Sequence, residues 1–397
     1  MSKKSSCAVM FSSGSQTSTA SANRLCRYAV PTPRPYARSR FSPLSPKRAT
    51  HPYARSRFSP LSPKRATEPP WVVDNRGQPP GVLDAVRMAA SDNARVFIDR
   101  RTARTRGLPM KELLSTQYTR VFFDCYVPAS TPVTQTLLVQ AALFCAPEAL
   151  AASHHSAAQL WGGIVPRTSD VHLAVTTDVR TKRRGIRTHR YDVSPRVMQR
   201  SGVPTTTPEQ TFVDLGAYLE LVDLVVLGDS LIRKQRTTID RLSAAASVAS
   251  GRGSVTVRRA ATWVRGSVDS PNETRLRLLL VLAGLPEPAV NTAIRGADGE
   301  IQRKLDLAYE RARVAIEYDG RHHIDRQEQW QRDLLRREEL EGQGWRFVVI
   351  TADDLYSHPN RVLTRVTAAM RTQGMRVPRL STAWCTYFHQ PSASSVA

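Results

Sequence analysis

Apolar and polar side chains alternate most clearly late in the chain, where Leu305, Leu307 and Tyr309 take every second position and Asp306 falls between them. That period predicts a strand over 304 to 309 with the three apolar residues on one face and Asp306 on the other. Residues 313 to 320, Arg-Val-Ala-Ile-Glu-Tyr-Asp-Gly, predict a second strand in which Glu317 and Asp319 share a face. With a turn around Arg311 and Ala312, antiparallel pairing sets Asp306 opposite Glu317. A helix is expected over 271 to 282, and a strand over 292 to 301 with Asp298-Gly299 as a turn signal. A long charged helix is expected over 326 to 341, ended by Gly342 or Gly344. A buried strand over 345 to 350 and a helix after Pro359 complete a compact α/β unit of roughly 100 residues.

Earlier in the chain the pattern reads as α+β. A short helix is expected over 106 to 115, a strand pair or wing over 118 to 128, and a largely helical stretch over 132 to 152 with a break at Pro147. Strands are expected over 171 to 176 and 186 to 191, with the basic run 180 to 184 as an exposed hairpin tip that contacts phosphate or is solvated. Thr207 is placed to cap a helix with Pro208 in its first turn. The helices after it end near Val248, and a Gly/Ser/Arg patch at 250 to 254 leads to another short helix.

Residues 1 to 70 change the picture of charge. They hold 13 Lys/Arg and one acid, Glu68, so +12 of the formal +23 sits on this segment. Residues 35 to 50 recur unchanged at 52 to 67. Pro, Ser and Arg dominate, and so little apolar surface cannot offset the entropy of ordering, so 1 to 93 is expected to be a disordered tail. Two readings of that tail stay open: a basic DNA tether, or a translated stretch ahead of a start near Met88. The modestly basic remainder suits a polyanionic partner. Five scattered cysteines without a C-x-x-C pair argue against a disulfide framework and a zinc knuckle, and favour a reducing, cytoplasmic setting. The apolar stretches 136 to 146 and 215 to 232 are too short or carry charges, so no membrane span is expected.

Candidate chemistry centres on the carboxylates. Asp306 and Glu317 so close repel each other unless a cation neutralises them or a proton is taken up, and Asp319 follows on Glu317's face. Mg2+ or Mn2+ suits such a set, because a hard divalent ion accepts a few carboxylates plus waters and substrate phosphates. His322 and His323 follow at once and titrate near neutrality, which makes either a candidate for proton transfer. Ser270, Pro271 and Glu273 form a helix-capping box, which explains Glu273 structurally and leaves a catalytic role as a secondary reading. His154 and His155 are adjacent, so on a helix they face about 100° apart, and no third ligand lies at the right spacing; a structural or capping role is expected.

Three groups of residues carry a resemblance: Ser270-Pro271-x-Glu273-Thr274-Arg275 with Leu305-Asp306; Glu317-Tyr318-Asp319-Gly320 with His323; and Asp333 with Arg337, then Gly344-Trp345. Together they resemble the very-short-patch-repair-like branch of the PD-(D/E)XK endonuclease superfamily over 270 to 372. The resemblance implies a restriction-endonuclease-like α/β domain over 268 to 375, with Asp306 and Glu317 as its metal-binding pair. Asp319 stands where the common signature carries Lys, and Asp333 with Arg337 reads equally well as an i,i+4 salt bridge. Residues 95 to 265 resemble AbiEi-type antitoxins and transcription regulators of type IV toxin-antitoxin systems. That rests on the 107 to 128 helix-and-wing pattern, Ser156-Ala157-Ala158, and the segment from Val203 to Leu215. It implies an α+β domain over 94 to 265 with a partial winged helix-turn-helix, and residues 376 to 397 are expected to be a disordered tail. The leading expectation is a metal-dependent DNA endonuclease. The alternative is a non-catalytic DNA-binding regulator or antitoxin.

Overall fold

A computed structural model describes residues 96–176, 181, 183–295, 299–320 and 337–388. The tandem repeat and the rest of 1–93, the part up to 336 of the helix expected over 326 to 341, His322, His323 and Asp333 lie outside these residues. The first described helix, α1 (Arg100–Thr105), starts where Asp99 accepts the Thr102 N–H at 2.6 Å, and α2 (Met110–Leu113) follows Pro109. The expected strand pair is an antiparallel hairpin of β1 (Tyr118–Phe122) and β2 (Cys125–Pro128), turning at Asp124 with φ 54°.

The stretch 132 to 152 departs from expectation at its end. Helix α3 (Gln135–Cys145), capped by Thr134, stops before Pro147, and Ala151–Ala152 forms β3, the central strand of a five-stranded sheet. Small residues let β3 lie fully buried between its neighbours, a location that short apolar runs do not reveal. The sheet order is β5-β4-β3-β7-β6, with β4 (Val171–Val175), β5 (Ile186–Arg190), β6 (Val197–Arg200) and β7 (Val203–Thr206). A second correction concerns the basic connection. β4 and β5 pair in parallel, Val171 with Ile186 through Val175 with Arg190, so the segment between them is a crossover and not a hairpin tip.

Helix α4 (His154–Trp161) lays its first residue against this sheet, and the histidines there form a stack. The His154 ring lies 3.6 Å from that of His189 and the His172 ring 5.0 Å from it, all nearly parallel. His172 Nδ1 and His189 Nε2 share a hydrogen bond at 2.8 Å, and Tyr218 Oη meets His189 Nδ1 at 3.2 Å. Among the described residues no group of three or more His, Cys, Asp or Glu is placed to hold a metal. His154 is buried within this stack at the start of α4. Burial, reinforced by neighbouring positive charge, lowers His172 to about 3 and His189 to about 4. The unfolded chain takes up these protons first, so their contribution is fully present above pH 6.5 and is lost as pH falls toward those values. Each ring costs about 1.4 kcal/mol per pH unit over that range. Asp214 and Asp229, raised to about 6 by burial, act in the opposite sense. Urea unfolding of His189→Gln beside wild type isolates the imidazole: the variant should lose about 2 kcal/mol less between pH 7 and pH 5. Equal losses would show that His189 is not held neutral by the stack.

Helices α5 (Pro208–Leu215), α6 (Leu221–Arg233), α7 (Ile239–Ser247) and α8 (Ser254–Trp263) follow, the first with the expected Thr207 cap. Helix α9 (Pro271–Leu282) starts as expected, and the Ser270 hydroxyl accepts the Glu273 N–H. The second half of the capping box does not form, because the Glu273 carboxylate accepts the Asp269 N–H at 2.9 Å. The four-stranded sheet that follows has the order β11-β10-β9-β8. Antiparallel β8 (Ala289–Arg295), β9 (Ile301–Tyr309) and β10 (Val314–Asp319) are joined by parallel β11 (Arg346–Thr351). Gly344, at φ 88°, ends the described helical residues 337 to 342. Two helices close the unit, α10 (Ala352–Tyr356), which carries a full capping box, and α11 (Pro359–Thr372).

Two further expectations need correction. Leu307 and Tyr309 join the large core, whereas Leu305 packs on the other side with Ala315, Leu340 and Phe347. The change of face falls where the regular β9–β10 pairing ends, at Leu307–Ile316, and the Asp306 carboxylate takes the Tyr318 N–H. The segment after 375 is described to Phe388 and is not a free tail up to that point. Trp384 and Phe388 are buried in the large core, and the Ser381 N–H bonds the Ala283 carbonyl at 2.8 Å. That core runs from α4 through α8 into α9, β9 and β10, so the sequence break near 265 does not divide the packing. Among the described residues no helix is long and apolar enough to cross a membrane.

Candidate active site at the end of the four-stranded sheet

The β9–β10 ladder pairs Tyr309 with Val314, Ala308 with Ala315 and Leu307 with Ile316. The short 3-10 turn Glu310–Ala312 and Arg313 at φ 50° fix that register, which carried one step further sets Asp306 against Glu317. At this point a side chain intervenes: Asp306 Oδ2 accepts the Tyr318 N–H at 2.9 Å.

Two cations or protons are needed where carboxylates crowd, and the structure shows how the charge is met. Arg303 on β9 grips Glu317 with a fork, Nε to Oε1 at 3.0 Å and Nη2 to Oε2 at 2.7 Å. The same guanidinium lies 5.4 Å from the Phe347 ring centroid, and Arg337 lies 5.1 Å from it. Asp306 takes the other route. Burial, and then the Glu317 charge, push its carboxyl up to about 6 against the lowering effects of the Tyr318 N–H and Arg303. Glu273, buried at the start of α9, is also raised, first by burial and then by the Asp306 charge. The three acids therefore form one electrostatically coupled group drawn from α9, β9 and β10.

Asp319 lies next to Tyr318 on the same strand. It is exposed at the end of β10, level with Thr351 of β11. Asn272 of α9 accepts a hydrogen bond from the Tyr356 hydroxyl at 2.6 Å and adds polar groups beside Tyr318. Arg337 bonds Glu341 at 3.0 Å, an i,i+4 ion pair. Arg303 is the residue that reasoning from sequence missed. Its signal was weak, a lone Arg three positions before Asp306, and only the side chain's reach across the sheet turns it into a partner.

No ready-made cage of three or more metal ligands exists among the described residues. The donor chemistry nevertheless fits a hard divalent cation in the two-carboxylate manner, because Asp306 and Glu317 raise each other's demand for positive charge and supply only oxygen. Such an ion would be held by Asp306 and Glu317, in competition with Arg303 for the two Glu317 oxygens that it now occupies.

Residues 288–370 match the model of REase_MTES_1575, a restriction-endonuclease-like family. The matched span contains Asp306, Glu317 and Asp319 and begins after Glu273. The chain is also similar to two proteins of Mycobacterium tuberculosis, "Uncharacterized protein MT2308" of strain CDC 1551 / Oshkosh and "Uncharacterized protein Rv2248" of strain ATCC 25618 / H37Rv. Each is 29% identical over 213 residues, covering 53% of this chain and 78% of the relative.

Proposed function

We propose, from the restriction-endonuclease-like C-terminal segment, that the protein is a metal-dependent endonuclease that hydrolyses DNA phosphodiester bonds. The observation that carries this reading is the coupling of Glu273, Asp306 and Glu317 at one end of the sheet inside or beside the matched span. Asp306 and Glu317 are the proposed Mg2+ or Mn2+ ligands, with Asp319 placed further along the same strand. When bound, the ion supplies an acidified water and neutralises charge on the phosphate. The residues themselves do the positioning. The Tyr318 N–H orients the Asp306 carboxylate, the Asp269 N–H orients Glu273, and Arg303 holds Glu317 in place until a competing cation arrives. With Asp where the common signature has Lys, Arg303, bonded to Glu317, is the positive charge proposed to offset charge developing at phosphorus. His322 and His323 are the proposed proton-transfer groups.

The finer affiliations belong to the same proposal: the very-short-patch-repair-like branch for 268 to 375, and AbiEi-type regulators for 94 to 265. A second reading, a DNA-binding regulator of antitoxin type, is favoured by one observation, the occupation of both Glu317 oxygens by Arg303. Incubating the full chain with supercoiled plasmid in Mg2+ or Mn2+, beside a chelator control, separates the two. Nicking confined to the metal-containing reactions is expected. Intact plasmid in every metal, with DNA bound equally well in chelator, would favour the regulator.

A further inference from the structure

A second site lies on the other sheet. Beside the β4–β5 crossover is a concavity of about 530 Å³ whose walls include Arg183, Arg184, Arg187 and Arg190, with Thr188 between them and Asp170 as the one acid among its described lining residues. Arg184 is exposed, and Arg187 keeps 58% of its side chain in solvent, with only a long 4.0 Å approach to Asp170. Charged side chains on an edge strand are commonly a guard against further sheet pairing, and β5 is an edge strand. That account covers Arg187 and Arg190. It does not explain Arg183 and Arg184, which precede the strand, nor why they line a cavity.

Arg183 shows that the site is built. Its guanidinium donates to the Phe123 carbonyl at the β1–β2 turn and to Cys145 Sγ at 3.4 Å. Gly185, at φ 86°, lets the chain pass close to Phe122, where an added Cβ would sit 3.2 Å from the ring. Arg183 and Gly185 are thus fastened to the hairpin, and Arg184 and Arg187 project on either side of Gly185 from that base. Phe123 itself is 64% exposed, with the Arg100 guanidinium 6.0 Å from its ring. Clustered arginines on a concave surface next to an exposed aromatic match the chemistry of a phosphodiester backbone with its bases.

We propose that this concavity docks the phosphate backbone of DNA, as an anchoring site distinct from the carboxylate cluster. The proposal rests on the DNA-directed reading above and names the surface that delivers the substrate. The test is fluorescence anisotropy of a labelled duplex with the full chain in chelator, titrated across salt concentrations, for wild type, Arg184→Ala/Arg187→Ala, Arg184→Lys/Arg187→Lys and Asp306→Asn. The alanine pair is expected to weaken binding at least about tenfold and to lower the slope of log affinity against log salt by about two, one for each lost phosphate contact. The lysine pair should keep the wild-type slope, which separates lost charge from lost fold. Unchanged affinity and slope in the alanine pair, or no duplex binding by wild type, would overturn the proposal. Because no cleavage occurs in chelator, the outcome is independent of catalysis. A protein that binds through these arginines yet never nicks plasmid would refute the nuclease reading alone.

Discussion

Glu317→Gln will lower DNA cleavage on the order of 10³-fold while leaving duplex affinity in chelator unchanged. The argument is electrostatic. Burial first, and then the Glu317 charge, raise Asp306, and Glu317 is itself paired with the Arg303 fork, so an amide removes the proposed ligand together with part of the field that makes the pair demand a cation. Asp306→Asn is expected to act alike. A second readout does not need turnover. The folded Asp306 carboxyl lies at about 6 against an ordinary 3.8, so the stability it contributes is fully present below 3.8 and is lost as pH rises through 6. At pH 7.5 the ionised cluster therefore strains the fold, and Mg2+ should raise the melting temperature of wild type. The rise should shrink near pH 5 and vanish in Asp306→Asn. Full cleavage by Glu317→Gln would reduce the Arg303–Glu317 pair to a structural ion pair and withdraw Glu317 from the reaction.

Arg277→Ala will destabilise the protein by about 3–5 kcal/mol. Arg277 is fully buried on α9, where it donates to Asp229 of α6 at 3.0 Å, to Glu287 at 3.0 Å and to the Trp263 carbonyl at 2.9 Å. Asp229 is almost as deeply buried, and without Arg277 it keeps only the Thr274 hydroxyl and the Arg265 N–H. The loss is the cost of an uncompensated buried charge, not the net worth of the pair. The double variant Arg277→Met/Asp229→Asn should therefore recover most of the stability in a denaturant double-mutant cycle. A double variant no more stable than Arg277→Ala would place the loss in packing instead. Because α6 lies in the region before 265 and α9 leads into the nuclease-like sheet, the same measurement tests whether the two halves melt together.

Much of the site was legible before any coordinates. Side chains repeat every two residues along a strand, and a connection as short as Glu310 to Arg313 leaves little choice of register, so Asp306 and Glu317 had to meet. Ser270 and Thr207 announced their helices because a hydroxyl one turn ahead of a free N–H is a local arrangement. Glu273 was placed correctly at the helix start, yet its carboxylate chose the Asp269 N–H, one residue from the expected partner. The face of Leu305 was misread because the regular β9–β10 pairing ends at Leu307–Ile316, where the Asp306 carboxylate takes the Tyr318 N–H.

Sequence by itself thus determined the β9–β10 pair, the Ser270 and Thr207 caps, the crowding of acidic groups and the basic run before β5, all of which depend on covalent geometry and hydrogen bonds within a few residues. Tertiary structure alone decided that Arg303 neutralises Glu317, that His154, His172 and His189 stack as neutral rings, that β4 and β5 run parallel, and that Arg277 reaches Asp229 across 48 positions. Those outcomes depend on desolvation and on charges brought from remote segments, and neither quantity exists until the chain has closed on itself.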